Sequence, residues 1–169
     1  SAACQAAKAS GLTVSCDLNF RKNPWTSEKA GKTMAQFMPY VDVCIANEED
    51  ADKVFGIKAH NTDVTSASLS HEGYKDVAKQ LTDRFGFKSV AITLRGSISA
   101  SDNTWAAMLY TGGEHYFSRE YPVHIVDRVG GGDSFAGGLI YAMLNNMGTQ
   151  DILEFAVANS CLKHSVEGD

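Results

Sequence analysis

The feature that most constrains the fold is an alternation of short apolar runs with helical patterns over the first 94 residues. The runs "LTVSCDLNF", "VDVCIAN" and "KSVAITL" have the length and composition of short buried strands. Around them lie a first helix that ends near Gly11 and helical patterns in "SEKAGKTMAQFM", "EEDADKVFGI" and "HEGYKDVAKQLTDRFG". This alternation predicts an α/β layered fold with a mostly parallel sheet flanked by helices.

Several residues predict where these helices begin and end. Ser27 and Asn47 are candidate N-caps, because their short polar side chains can accept hydrogen bonds from the first turn of a helix. Gly56 and Gly86 are expected to end the helices that precede them. Residues 58–70 are polar, and we expect a surface loop there.

The pattern changes after residue 98. Alternating polarity and a Gly112-Gly113 turn predict a short antiparallel meander. Two helices are expected to follow, at about 133–147 and 150–165. In an α/β sheet, ligands bind beyond the carboxyl ends of the strands. Three polar clusters are expected at such ends: residues 17–21, residues 47–50 and a run of glycines before residue 133.

Composition excludes some classes of partner. The chain has 169 residues, enough for one domain with a sizeable core, and 44% of them are hydrophobic. A net charge of −5 and the absence of any basic run argue against a nucleic-acid or membrane-surface partner. No apolar stretch approaches the roughly 18 residues of a membrane span. Four scattered cysteines without a CxxC predict buried free thiols and a cytoplasmic location.

The glycine run carries the strongest chemical signal. Gly130, Gly131 and Gly132 directly precede Asp133 and an apolar helical segment. Unpaired N–H groups at a helix start attract anions, and glycines let a phosphate approach closely. Asp133 would then accept a proton from a hydroxyl group that attacks the phosphorus. The alternative from this segment alone is a turn in which Asp133 merely caps the helix.

Other glycine motifs do not fit the spacing. A dinucleotide-binding GxGxxG fails because Phe135 occupies the third glycine position, and a P-loop fails because no lysine follows the last glycine. A hydrolase with Ser134 as nucleophile is the remaining rival. Its GxSxG pattern is broken by Ala136, and no histidine is placed by spacing as its base.

Together the three clusters resemble motifs of the ribokinase-like (PfkB) family of carbohydrate kinases. Residues 130–133 resemble its GAGD motif with Gly131 in place of alanine, and Arg128-Val129 stand where many members have two threonines. Residues 47–50, "NEED", resemble NxxE with a final Asp, and residues 17–21, "DLNFR", resemble DxNxR. Within the family, "DLNFRKNPW", "HIVDRVGGGDSFAGGLIYAML" and "NSCLKHSVEGD" look most like 2-keto-3-deoxygluconate kinases.

This resemblance implies a ribokinase-like fold and ATP-dependent, Mg²⁺-dependent phosphorylation of 2-dehydro-3-deoxy-D-gluconate at its 6-hydroxyl. It implies that residues 1–169 are the nucleotide-binding, C-terminal portion of such a kinase. The N-terminal half, with much of the sugar pocket and a lid through which relatives form homodimers, would lie outside this chain. The alternatives are another sugar kinase of the ribokinase or fructokinase type, or a nucleotide-binding fragment that is inactive as given.

The resemblance also assigns residue roles. Asp133 would be the catalytic base, and the backbone N–H groups of Gly130, Gly131 and Gly132 would form an anion hole. Arg21 would contact either the transferring phosphoryl group or the carboxylate of a keto acid.

Supporting roles follow in the same way. Asp17 and Asn19 would bind substrate or hold the strand end in shape. Asp50 would act through water on Mg²⁺, and Asp127 would lie near a monovalent-cation site of the kind that binds K⁺.

Nucleotide contacts are implied for Asn159, with helix packing as its alternative, and for a loop that contains Thr93, Arg95 and Gly96. That loop departs from the TxGxxG pattern of many relatives, because only one glycine remains in it.

Overall fold

The computed structural model describes residues 2–47, 49–59 and 71–168. In chain order the elements are α1 (Ala2–Ala9), β1 (Ser15–Asp17), α2 (Ser27–Ala35), a 3₁₀ turn (Met38–Tyr40), β2 (Val43–Asn47), α3 (Asp50–Phe55), α4 (His71–Phe85), β3 (Ser89–Ser97), β4 (Asp102–Thr111), β5 (Glu114–Phe117), β6 (Tyr121–His124), α5 (Gly131–Leu144) and α6 (Thr149–Lys163). The strands form a six-stranded sheet in the order β1-β2-β3-β4-β5, with β6 also paired to β4. The predicted α/β fold is confirmed.

The chain divides into two compact units, one of residues 1–92 with 110–114 and the other of residues 93–109 with 115–169. In the first unit, β1 and β2 are parallel, with Cys16 opposite Cys44. The consecutive residues 43–46 of β2 are all buried, as expected of a strand covered on both faces. In the sheet β2 is also the neighbour of β3, and α3 and α4 lie between these two strands along the chain.

The predicted cap of α2 is wrong by one residue. Thr26, rather than Ser27, has the extended backbone of an N-cap, and its hydroxyl accepts a hydrogen bond from the Lys29 N–H. The helix also ends at Ala35 instead of continuing to Met38. Pro39 explains this early end, because it has no N–H to donate and disfavours helical angles in the residue before it.

The predicted helix stops are confirmed. Gly11, Gly56 and Gly86 all have positive φ, between 67° and 78°. Gly56 and Gly86 directly follow α3 and α4, and Gly11 lies two residues after the end of α1. Of the predicted loop over residues 58–70, only residues 58 and 59 belong to the described chain, and they are outside helices and strands. The rest of that loop lies outside the described residues.

The second part of the chain contains the predicted antiparallel meander. β4 pairs antiparallel with β6, and Asp102 lies opposite His124. The turn between β4 and β5 has positive φ at both Gly112 and Gly113, as a two-residue hairpin requires. β3 runs to Ser97, further than expected from "KSVAITL", so the predicted nucleotide loop is part of a strand.

The last two helices pack closely on one another. A Cβ atom on Gly138 of α5 would lie only 3.1 Å from the Ala156 Cα of α6, so glycine permits the close approach. α5 begins at Gly131 rather than at residue 133, which makes Asp133 the third residue of the helix. Among the described helices, none is both long enough and apolar enough to cross a membrane.

All four cysteines carry free thiols. Only Cys44 is fully buried, so the expectation of buried thiols is right for that residue, and the other three are half-buried. Burial, with a smaller contribution from the Asp17 charge, raises the pKa of Cys16 to about 11. This thiol is therefore protonated and unreactive at neutral pH.

Candidate functional site

The end of β1 is a tight turn closed by Asp17. The Asp17 Oδ1 atom accepts a hydrogen bond of 3.1 Å from the Asn19 N–H. Asn19 has φ of 36°, a left-handed conformation that asparagine tolerates better than most residues. Asp17 therefore holds the strand end in shape. The Asn19 side chain is exposed, and its contact with a substrate stays a prediction.

Asp50 connects the ends of β1 and β2. It is 3% exposed, and its two carboxylate oxygens accept hydrogen bonds from the Phe20 N–H (3.1 Å) and the Asn47 N–H (3.2 Å). The Asn47 Oδ1 atom in turn accepts hydrogen bonds from the N–H groups of Glu49 and Asp50. The N-cap residue of α3 is Glu49, so the prediction of Asn47 as the N-cap is wrong by two residues, although its side chain does bind the N–H groups at the helix start. The first two polar clusters thus meet in one hydrogen-bonded network.

The electrostatics of Asp50 follow from this position. Burial raises the pKa of Asp50 above its ordinary value, although the hydrogen bonds from Asn47 and Phe20 and the charge of Arg21 act in the opposite direction. The Asp50 carboxylate already accepts hydrogen bonds from the backbone after β1, at Phe20, and at the end of β2, at Asn47. Its action on Mg²⁺ through water stays a prediction, and each oxygen retains a lone pair for a water molecule.

Arg21 is exposed beside this network. Its Nη1 atom lies 3.5 Å from the Phe20 carbonyl oxygen, at the limit of a hydrogen bond. No carboxylate of the described residues forms an ion pair with its guanidinium. The side chain is therefore available for an anionic group, as either predicted role requires.

The glycine run in the second unit forms the start of α5. Gly130 occupies the N-cap position with φ of 77° and ψ of −2°, and its carbonyl oxygen accepts from the Ser134 N–H at 2.8 Å. The Gly131 N–H makes a long bond of 3.4 Å to the Arg128 carbonyl. Within the described chain, the N–H groups of Gly130, Gly132 and Asp133 have no acceptor. These donors at a helix start can bind an anion.

Asp133 lies in the first turn of α5 with its side chain exposed. The helix has no side-chain cap, so the alternative in which Asp133 caps it is wrong. No hydrogen bond from any described residue reaches the Asp133 carboxylate. It is free to accept a proton from a bound hydroxyl group.

Two side chains of helix α6 donate hydrogen bonds to the backbone at the start of α5. The Ser160 hydroxyl donates to the Gly131 carbonyl at 2.7 Å, and the Asn159 Nδ2 atom donates to the Ser134 carbonyl at 2.6 Å. The structure thus gives Asn159 the helix-packing role. Its contact with a nucleotide stays a prediction.

Asp127 organises the loop before the glycines. Its carboxylate oxygens accept hydrogen bonds from the Val129 N–H (2.9 Å) and the Gly168 N–H (3.0 Å). These two bonds lower the pKa of Asp127 below its ordinary value and keep it charged. A negative charge at this loop suits a cation, and the K⁺ site stays a prediction.

The predicted nucleotide-binding residues Thr93, Arg95 and Gly96 lie in β3. Arg95 is exposed, and the Thr104 hydroxyl lies so close to Gly96 that a Cβ atom there would collide with it. The expectation of a loop at these residues is wrong, because the backbone continues as a strand. Any nucleotide contact here would come from that strand, and the contact itself stays a prediction.

The structure does not support the alternative of a hydrolase with Ser134 as its nucleophile. Ser134 is in the first turn of α5, and no histidine of the described residues forms a hydrogen bond with its hydroxyl. An activated serine requires such a partner.

Sequence reasoning missed the residues that support the glycine run. Ser160 lies in the last turn of α6 and His164 is the C-cap residue that follows the helix. The Arg128 Nη2 atom donates to the Ala100 carbonyl at 2.7 Å. None of these residues belongs to a recognisable chemical motif. Ser160 and His164 lie in the segment "NSCLKHSVEGD" and their spacing of four places both on one face of a helix, but neither signal connects them with the glycine run.

The chain is thus an α/β protein in which a glycine-led helix start, of the kind that can bind an anion, lies beside an exposed carboxylate. The family model of pfkB family carbohydrate kinases matches residues 1–169. The chain therefore belongs to the pfkB family of carbohydrate kinases.

Individual relatives agree with this assignment. The crystal structure of a 2-dehydro-3-deoxygluconokinase from Thermotoga maritima is similar at 50% sequence identity and a TM-score of 0.90, over 99% of this chain and 49% of that one. A curated 2-dehydro-3-deoxygalactonokinase of Haloferax volcanii is 28% identical over 98% of this chain and 45% of its own length. A putative ribokinase II from E. coli, solved with ATP and Mg²⁺, shares the fold with a TM-score of 0.73 at 22% identity, over 98% of this chain and 46% of that one.

The chain is shorter than each of these relatives. The chain spans about half the length of the relatives it matches, between 45% and 49% in the three cases above.

Proposed function

We propose that residues 1–169 are the nucleotide-binding, C-terminal portion of a kinase that transfers a phosphoryl group from ATP to the 6-hydroxyl of 2-dehydro-3-deoxy-D-gluconate, giving 2-dehydro-3-deoxy-6-phosphogluconate. The observation that carries this proposal is the start of α5. There the exposed Asp133 carboxylate adjoins backbone N–H groups that no described residue accepts from.

The substrate class rests on the relatives. The names of the Thermotoga and Haloferax proteins both specify a 2-dehydro-3-deoxy sugar acid, and the Thermotoga enzyme shares half of its aligned residues with this chain. A sugar acid also suits the unpaired Arg21, whose planar fork of donors matches a carboxylate. We propose that Arg21 binds the substrate carboxylate, with a contact to the phosphoryl group as the alternative.

The residues divide the chemistry between them. Asp133 accepts the proton of the 6-hydroxyl as that oxygen attacks the γ-phosphorus of ATP, the bond from this phosphorus to the bridging oxygen breaks, and ADP leaves. The N–H groups at the start of α5 stabilise charge on the transferring group. Gly131 participates less than its neighbours, because its N–H is engaged by Arg128. Mg²⁺ would neutralise phosphate charge, and Asp50 would orient a water ligand of that ion.

The first experiment changes Asp133 in the full gene product. Asp133→Asn should leave ATP affinity near normal and lower kcat by about 100-fold or more, because an amide keeps the shape but cannot accept the proton. Asp151→Asn is the matched control, since Asp151 is an exposed carboxylate at the same position of α6. A kcat within tenfold of wild type for Asp133→Asn would remove it from the base role.

Two alternatives have specific support. The chain spans only about half of its relatives, which favours a piece that binds nucleotide without turnover. The family also includes kinases of the ribokinase and fructokinase type. Measuring ATP affinity and turnover for residues 1–169 and for the full gene product, against a panel of keto acids and neutral sugars, separates these cases.

The proposal also includes a monovalent cation, a cellular location and an oligomeric state. K⁺ near Asp127 predicts higher activity in potassium than in sodium chloride at equal ionic strength. We further propose a cytoplasmic homodimer without nucleic-acid or membrane partners, with dimerisation outside this chain. Light scattering on the full gene product tests the dimer.

A further inference from the structure

Gly131, the second glycine of the run, lies against the imidazole ring of His164 on the side where a Cβ atom would be. A Cβ atom on Gly131 would lie 2.7 Å from Cε1 and 2.8 Å from Nε2 of His164, closer than real Cβ contacts allow. Gly131 has no positive φ, so its backbone alone would accept alanine. The imidazole of His164 therefore fills the position of the alanine methyl group in the GAGD pattern.

His164 is held firmly in that place. It is 3% exposed, and its Nδ1 atom lies 2.7 Å from the Ser160 carbonyl, so Nδ1 carries the proton because a carbonyl only accepts. The ring of Trp105 packs against it with centroids 4.7 Å apart. The orientation of the imidazole is thus set by a hydrogen bond on one side and an aromatic ring on another.

The same residue also supports the chain before the glycines. The His164 carbonyl accepts hydrogen bonds from the N–H groups of Val126 (2.8 Å) and Asp127 (3.3 Å). Ser160, one turn earlier in α6, donates its hydroxyl to the Gly131 carbonyl. The end of α6 thus contacts the backbone both before and within the run.

We propose that His164 is a positioning residue for the anion hole: its imidazole replaces the missing methyl group and fixes Gly131, so that the N–H groups of Gly132 and Asp133 keep their direction. This inference rests on the proposed function of the glycine run. His164 touches no reacting group in this role and acts only through the backbone of Gly131.

A double-variant cycle tests the inference. Gly131→Ala alone places a methyl group against the ring, and His164→Ala alone leaves a cavity behind the glycine. We expect each single variant to weaken ATP binding about tenfold. In Gly131→Ala/His164→Ala the methyl group occupies the vacated space, and affinity should return to within about threefold of wild type.

Matched controls separate positioning from general stability. Gly137→Ala adds a methyl group in α5 where nothing lies within 4 Å, and it should leave ATP affinity unchanged. Leu153→Ala removes a fully buried side chain from α6, and it should lower stability without changing ATP affinity in the folded protein. Losses that simply add in the double variant, or an equal loss of affinity in Leu153→Ala, would overturn the proposal.

A measurement without nucleotide keeps the inference independent of the proposed function. Backbone ¹⁵N relaxation should show lower order for the amides of Gly131 and Gly132 in His164→Ala than in wild type, and order restored in the double variant. If the wild-type protein binds no ATP, the proposed function fails, but the measured order of these amides still tests the role of His164. Unchanged glycine amides in a folded His164→Ala protein would overturn the inference even if ATP binds.

Discussion

At Gly130 the backbone has φ of 77°, a conformation that a side chain disfavours, and this requirement is local to the chain. Gly131 has no such conformation, and it is restricted by the ring of His164. Gly132 has neither restriction, because a Cβ atom there meets nothing within 4 Å. The three consecutive glycines therefore differ in what restricts a side chain at each position, and the sequence alone does not reveal this difference.

This difference predicts opposite effects of one substitution on stability. Gly130→Ala should lower the free energy of unfolding by about 1 kcal/mol, because alanine is strained at positive φ. Gly132→Ala should raise it by up to about 1 kcal/mol, because alanine favours the helix. Urea titrations of the two variants side by side provide the measurement, and equal effects would contradict the assignment of Gly130 as the left-handed N-cap.

A second prediction at this scale concerns Arg21. If its guanidinium pairs with the substrate carboxylate, Arg21→Lys should lose bidentate geometry and lower kcat/KM for the keto acid about tenfold or more. A neutral hexose that the enzyme still accepts serves as the internal control and should be affected much less. Equal losses on both substrates, mainly in kcat, would support contact with the phosphoryl group instead.

At the scale of elements, the sequence predicts well whatever depends on local pattern. β2 was predictable because its apolar run is buried throughout, and the stops of α1, α3 and α4 were predictable because glycine ends a helix. The length of β3 was not, because residues 95–97 are polar and continue the strand only through pairing with β4. Asp50 was recognisable from the "NEED" pattern, but its bond to the Phe20 N–H and the contact of His164 with Gly131 involve residues far apart in sequence, and no local pattern predicts them.

The cap of α2 gives a prediction at this scale. Thr26→Ala should lower the free energy of unfolding by about 1 kcal/mol, because the Lys29 N–H loses its acceptor. Ser27→Ala is the matched control at the adjacent position and should change stability by less than about 0.5 kcal/mol. Chemical denaturation of the two variants distinguishes them, and the reverse order would return the cap to Ser27.

For the molecule as a whole, acid stability depends in part on Asp42, a carboxylate outside the three polar clusters. Asp42 is 3% exposed and accepts hydrogen bonds from the Lys8 and Val14 nitrogens, with Lys88 Nζ at 3.0 Å. Burial alone would raise the pKa of Asp42, but these partners outweigh it and lower the pKa from 3.8 to about 2. The paired, ionised form therefore stabilises the fold.

The sign of the pH dependence follows. Because the folded pKa is the lower one, this contribution is complete above pH 4 and disappears as pH falls towards 2. The shift corresponds to about 2 kcal/mol. Asp42→Asn should be less stable than wild type at pH 6, and the difference should shrink between pH 4 and pH 2. A difference that stays constant over that range, measured by denaturant titration at each pH, would contradict the role of Asp42.

The contact between Gly131 and His164 also restricts the order in which substitutions at these two positions can occur in related chains. A methyl group gained at position 131 while the imidazole remains produces a collision, whereas an imidazole lost first produces a cavity, which proteins tolerate more readily than overlap of this degree. Descent from one arrangement to the other should therefore pass through chains with glycine at 131 and a small residue at 164. Chains with alanine at 131 and histidine at 164 should be rare among descendants of either type.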